Sequence, residues 1–392
     1  MTPNRINYLD WLKVLIVYGI VVFHVCVVFA VGGWLVNNAQ RSLVLSAFAG
    51  FCFPWGIPAM FMIAGADAWF GLRNHSASAF ILSRARRLLV PMVLGMILLS
   101  PLQRFVVSHN PPPGLEHLVA FYVAFYRGVQ FNFTMQWLAT YSLHLWFLGY
   151  LFAISVAVLP ILHWLRSPGG KRFTELAVSV ANRRAGLFLL AAPLCLSQLL
   201  LRPFFADYQD WADVATYTIV FLWGAVMFGD RRFETVIRRE IRWILAVGLI
   251  VVPGLAAIAL TSPSRMLHAD QEREALTAAY AILLSLDVWS WLLAVLYLGM
   301  RWFDFSNPAL TYARESVLPI YVLHHPILLT VASFAVTWNL AVWPKFGLTL
   351  ILVFGLTLAL YEFGVRRWMV TRMVFGLGRG VPGTRLTAPV GG

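Results

Sequence analysis

Charge is what this 392-residue chain has least of: Asp, Glu, Lys and Arg make up 12% of it, about half the share of a soluble domain. With 60% of its residues hydrophobic, it is expected to be a polytopic membrane protein rather than a soluble fold. Cysteine is scarce too. Cys26, Cys52 and Cys195 all lie in apolar runs without metal-ligand spacing, which excludes a disulfide framework and a zinc site. The chain also lacks low-complexity segments, a second domain, and an internal repeat with paired broken helices, a feature secondary transporters often show. Its net charge of +13 does not indicate nucleic acid, because the basic residues fall in short blocks between apolar runs, the pattern of membrane topology.

What is present is a series of apolar runs near 20 residues, the length that crosses a bilayer. Ten spans are expected, at 11–33, 46–69, 88–106, 144–165, 185–204, 214–229, 243–262, 276–299, 316–337 and 347–365. With the N-terminus inside, 23 Lys and Arg fall on inner segments and seven on outer ones. That asymmetry places both termini in the cytoplasm. The expected fold class is therefore an all-α integral membrane protein of about ten transmembrane helices. Residues 1–370 form one membrane domain and 371–392 a basic, Gly-rich cytoplasmic tail. The apolar run from Trp11 to Val31 is too long for the h-region of a signal peptide, about 7–15 residues. Pro54 and Pro58 predict a kink in the second span. The segment 107–143 reads as a long outer loop, either lying on the membrane or lining a groove. Residues 166–184 read as a basic inner loop, and 230–243 as a short amphipathic helix on the inner surface.

Several polar residues stand out against this background. Lys13 and His24 are eleven residues apart, about three helical turns, so both lie on one face, roughly 16 Å apart. Asp10 lies near the same face. An ionisable group within a span is a functional-site hypothesis by default, although Lys13 could also be a snorkelling anchor and His24 interhelical glue. Arg84 and Arg87 begin the third span. They are either a topogenic stop or a phosphate clamp, since guanidinium forks bind phosphate oxygens bidentately. His144 sits in an aromatic segment at the outer end of the fourth span. Asp287 is buried near mid-membrane in the eighth, where it needs a partner or a proton. In Tyr321-Val322-Leu323-His324-His325-Pro326 the proline frees a backbone carbonyl one turn earlier. Asp207, Asp210 and Asp213 read as a solvated acidic surface, and no metal site is expected.

Taken in order, these segments resemble membrane acyltransferase family 3. The Lys13-x10-His24 pair matches its first-helix basic-x10-His motif. The run Pro58 to Gly65 is similar to its second-span signature, with Ala64 where the family often has serine, and Arg84-x-x-Arg87 matches its Arg-x-x-Arg. His144 to Leu148 and Tyr321 to Pro326 are similar to further family segments, so the resemblance covers Asp10 to about Arg367. It implies an integral-membrane O-acyltransferase of a bacterial cytoplasmic membrane. Acetyl-CoA or succinyl-CoA would be the cytosolic donor, and a carbohydrate or other hydroxyl at the outer face the acceptor, with no bound cofactor. His24 would be general base or transient acyl carrier, with Asp287 a candidate orienting partner. Lys13, Asp10, Arg84, Arg87, His144, His324 and His325 would contact substrates. The competing reading is a multispan transporter or flippase for a polar or lipid-linked substrate, supported only by the many spans and buried charges.

Overall fold

The computed structural model describes residues 6–377, apart from 74, 110–113, 115, 133, 206 and 262–273. Every regular element among the described residues is helical. Lipid offers a backbone amide no partner, and a helix supplies its own. The chain opens with α1 (Asn7–Phe29), α2 (Leu43–Gly71) and α3 (Ala77–Arg84), then passes through a π-helical turn, Ala85–Leu89, into α4 (Val90–Ser108). Next come α5 (Glu116–Arg127), α6 (Met135–Ser142), a 3-10 turn at Leu143–Leu145, and α7 (Trp146–Ala157). Four shorter helices, α8 (Leu159–Trp164), α9 (Pro168–Asn182), α10 (Gly186–Leu189) and α11 (Ala192–Leu201), lead to α12 (Trp211–Gly229). The last are α13 (Arg232–Thr261), α14 (Glu274–Trp302), α15 (Pro308–Ala335), α16 (Val342–Ala359) with a second π-helical segment at Leu360–Val365, and α17 (Met369–Val374).

Nine helical stretches among the described residues are long and apolar enough to cross a membrane. The chain is an all-α integral membrane protein. The tenth expected span is the shorter apolar stretch Gly186–Leu201, split into α10 and α11. Pro193 accounts for the split: lacking an N–H, it cannot bond the carbonyl of Leu189 four residues back, where α10 ends. α11 still packs against both α12 and α14.

The first helix lies at the centre, against α2, α14, α15 and α16. Its Val21, Val25, Val28 and Phe29 are fully buried, as suits a helix apolar on all sides. The closest approach in the bundle is between α2 and α12. A Cβ built on Gly65 would lie 1.9 Å from the Phe221 backbone oxygen, and one on Gly224 would lie 2.0 Å from that of Met62. Small residues let the two backbones touch, a common basis of helix association in membranes. Beside this crossing Phe61 stacks on Tyr217, with ring centroids 4.6 Å apart. α2 runs as one α-helix through Pro54 and Pro58.

Three segments read as loops or short surface pieces are differently built. Residues 107–143 contain α5 and α6. α5 buries none of its residues, yet two of its tyrosines bond α4. Tyr126 donates its hydroxyl proton to the Ile97 carbonyl, which Pro101 leaves without a helical donor, and Tyr122 bonds the Leu98 carbonyl at 2.5 Å. The basic inner loop holds α9, capped by the Ser167 side chain. The amphipathic segment 230–243 is the first part of α13, continuous with the span, because no Gly or Pro interrupts it before Gly248. The acidic trio is structural at two of its positions: Asp210 caps α12 and Asp213 pairs with Arg202.

Polar contacts divide the bundle into two ends. At one, Tyr8 bonds Glu234 at 3.1 Å, Arg238 bonds the Met300 carbonyl at 3.0 Å, and Arg166 bonds the carbonyls of Leu72 and Trp69 at 2.8 and 2.6 Å. Arg372 and Arg366 share Glu315 at 2.5 and 3.8 Å. Arg366 also pairs with Glu362, one turn before it, at 3.1 Å. This is where the basic segments gather. At the other end buried Lys345 donates to Asn38 Oδ1 at 3.0 Å and to the Val336 carbonyl at 3.3 Å. It thereby ties α16 to the turn after α1.

Candidate active site

Lys13 and His24 lie on one face of α1, and the structure gives them different surroundings. Lys13 Nζ meets Asp67 at 2.8 Å and Asp10 at 3.4 Å, while Arg314 approaches Asp10 at 3.6 Å. Lys13 and Arg314 are thus both engaged by carboxylates at the basic end. A phosphate reaching Lys13 there would compete with carboxylates already in place. Arg84 lies over the Phe80 ring, 5.1 Å from its centroid, and has no ion pair within 4 Å among the described residues. Arg87 is exposed, beside Gly376 just past α17. Arg84 caps the π-helical turn and Arg87 lies within it, a distortion frequent at functional sites.

About 16 Å along α1 from Lys13, four histidines from three parts of the chain converge. His24 comes from α1, His324 and His325 from α15, and His144 from the turn before α7. Ring centroids lie 5.2 Å apart for His24–His324 and His24–His325, 5.4 Å for His144–His324 and 4.5 Å for the stacked His144–His325 pair. His324, His325 and His144 are buried, whereas His24 is half-buried. Trp34, in the turn after α1, stacks over His24 at 5.8 Å and meets His325 edge-on at 5.5 Å.

Hydrogen bonding fixes where the protons sit. His324 Nδ1 faces two carbonyls, Ile320 at 3.1 Å and Tyr321 at 2.7 Å; carbonyls only accept, so Nδ1 carries the hydrogen. The Nε2 of neutral His324 is then an acceptor. It lies 3.2 Å from His24 Nδ1, so His24 donates from Nδ1 and its own Nε2 is a bare lone pair. The same logic holds for the other two rings. His144 Nε2 donates to the Val322 carbonyl at 3.1 Å, the carbonyl that Pro326 frees. Tyr321 in turn donates its hydroxyl proton to the backbone oxygen of His144. His325 Nδ1 donates to Gln103 Oε1 at 2.5 Å, the Gln103 amide nitrogen being spent on the Leu99 carbonyl at 3.0 Å. Among the described residues no carboxylate hydrogen-bonds to any of the four rings.

The sequence-predicted residues thus fall into two groups. His24, His144, His324 and His325 are brought together, and Lys13, Asp10, Arg84 and Arg87 lie at the basic end. Asp287 belongs to neither; it is buried on α14 beside Trp291 of its own helix. The ring that hydrogen-bonds His24 is His324. Trp34 and Gln103 were not anticipated. Gln103 is a lone amide in an apolar span, a weak signal, and Trp34 offers none. Among the described residues no three His, Cys, Asp or Glu side chains, the four histidines included, are arranged so that they could hold a metal ion.

A family model described as an acyltransferase domain matches residues 6–362. Similar curated proteins include glucans biosynthesis protein C of Escherichia coli, 23% identical over 381 residues, which covers 93% of this chain and 92% of that one. The protein of the same name from Salmonella schwarzengrund is 24% identical over 389 residues and covers 92% of each chain. No solved structure matches.

Proposed function

The chain belongs to the acyltransferase family whose domain model covers residues 6–362, and from that premise we propose that it moves an acetyl or succinyl group from acyl-CoA to a carbohydrate hydroxyl. The protein is a membrane acyltransferase; donor and acceptor are the proposal. The basic end would face the cytosol of a bacterial cell and receive CoA, with Arg84 and Arg87 as phosphate ligands. The histidine cluster would face the acceptor. The 16 Å or so between Lys13 and His24 is a distance that the pantetheine arm of CoA can bridge, leaving its phosphates at the basic end. The names of the relatives, glucans biosynthesis protein C, support a sugar as acceptor.

One observation carries this reading: the His24–His324 hydrogen bond of 3.2 Å, which leaves His24 Nε2 without a hydrogen. That nitrogen takes the proton of the acceptor hydroxyl, whose oxygen attacks the thioester carbonyl. The carbon–sulfur bond breaks, and the imidazolium returns the proton to the departing thiolate. The products are an ester and free CoA thiol, with no net proton released. The positive charge formed on His24 is shared through Nδ1–H with His324 while it lasts.

Purified protein given labelled acetyl-CoA or succinyl-CoA and a gluco-oligosaccharide is expected to produce acylated sugar. His24→Gln keeps size and hydrogen-bonding capacity but removes the base, and should cut transfer by about 10²–10⁴ with acyl-CoA binding retained. Near-normal transfer by a folded His24→Gln protein would defeat the assignment.

A further inference from the structure

Each of the four rings has one nitrogen without a hydrogen; His324 Nε2 accepts from His24, and of the other three one is buried with no hydrogen-bond partner among the described residues. Those three are His24 Nε2, His325 Nε2 and His144 Nδ1, because the opposite nitrogen of each ring is the donor. His144 is 8% exposed, and its Nδ1 is buried without a hydrogen-bond partner among the described residues. A buried polar atom left unsatisfied costs about 1–3 kcal/mol, and in native structures such atoms call for a reason. The ring cannot swing away to relieve it. His144 is held at Nε2 by the carbonyl that Pro326 frees, on one face by His325 at 4.5 Å, and at its backbone oxygen by the Tyr321 hydroxyl.

We propose, on the reading that His24 is the reacting base, that His144 Nδ1 accepts a hydrogen bond from a second hydroxyl of the acceptor, next to the one being acylated. A wall of lone pairs attracts only donors. It repels carboxylates and phosphates, and it rewards a molecule that presents several hydroxyls close together. The site is thereby matched to a polyol ring and not to a single alcohol. Trp34, stacked over His24 and edge-on to His325, supplies the flat apolar face against which the C–H side of such a ring can lie. Nothing is transferred at His144; its role is to place the acceptor so that the correct hydroxyl meets His24 Nε2.

The two amide replacements of histidine separate this role from a structural one. His144→Gln sets its amide near the Nε2 position and preserves the cap on Val322, but it leaves no acceptor where Nδ1 was. His144→Asn sets its amide oxygen near Nδ1 and abandons the cap. With a gluco-oligosaccharide as acceptor, His144→Gln should raise the acceptor KM by about 2- to 10-fold, as expected for one neutral hydrogen bond. That rise should exceed any fall in kcat, with acyl-CoA affinity unchanged, and His144→Asn should recover part of the KM. In the unmodified protein, a series of acceptors each lacking one hydroxyl should contain one whose KM rises by a similar factor. That acceptor should lose nothing further in His144→Gln. A His144→Gln KM equal to that of the unmodified protein would overturn the proposal, as would a fall in acyl-CoA affinity alongside it. Should His144→Gln not fold, the deoxygenated series decides alone, and a flat series overturns it. Failure of the underlying reading looks different: a fully active His24→Gln protein, or no transfer to any sugar.

Discussion

His324 meets His24 through a single nitrogen, so its part in the proposed reaction can be tested apart from that of His24. Its two carbonyl partners, Ile320 and Tyr321, hold the hydrogen on Nδ1, so Nε2 must face His24 as an acceptor. His324→Phe removes that acceptor and should lower kcat roughly 10²-fold, the lower end of a general-base effect, with acyl-CoA affinity unchanged. His324→Gln can offer an amide oxygen in the same place and should recover part of the loss. A kcat untouched by His324→Phe would mean that another group orients His24. At this scale the sequence was half legible. Helical periodicity on α1 put His24 on the Lys13 face, and the proline rule marked a freed carbonyl before Pro326. The pairing of His24 with a residue 300 positions away has no local signature. Depth in the bilayer is legible and favours Asp287, but a shared depth does not bring two side chains into contact. Trp34 joins the site through the turn after α1, whose Gly32 has φ +118°, and a turn's direction is not written in hydropathy.

Among the elements, α2 and α12 offer the sharpest test of packing. Their glycines stand where a Cβ would collide with a carbonyl oxygen at 1.9 or 2.0 Å, and backbone cannot rotate aside as a side chain can. Gly65→Ala and Gly224→Ala should each destabilise the protein by about 1–3 kcal/mol or more, the range for overpacking, read as a lowered Tm in detergent. Gly50→Ala lies on the same helix with open space around its Cβ and should leave Tm nearly unchanged. Equal effects at Gly50 and Gly65 would refute the contact as the cause. Gly65 was legible only as part of a motif, since its partner lies across the bundle. α5 and α9 were missed because both are amphipathic and border Pro- or Gly-containing stretches, so their helical period was read as a loop. The run-on of α13 is the converse case: a change from basic to apolar composition looked like a boundary, but a backbone with no breaker passes straight through it.

For the molecule as a whole, the spans were the most legible feature, because hydropathy and length answer directly to bilayer thickness. The division into two ends was legible as well, from the placing of Lys and Arg. The structure collects the same basic segments at one end through Arg166, Arg238, Arg366 and Arg372. Single cysteines at Gln40 and His75, both exposed, should therefore react with a membrane-impermeant thiol reagent from opposite sides of the membrane. Labelling from one side would overturn the expected orientation and the assignment of Arg84 to the cytosol. The α2–α12 crossing bears on how such a protein can work between two compartments. Domains that shear past one another do so by small slides of side-chain layers, and where two backbones touch there is no layer to slide. That crossing is a fixed bearing, and α1, packed against α2, is carried by it. A machine that rocks to carry a cargo across would need play in this very place. In the proposed reaction nothing as large as a cargo has to travel: the donor stays on its side, the sugar on the other, and a few carbon and oxygen atoms change owners inside a frame that stands still.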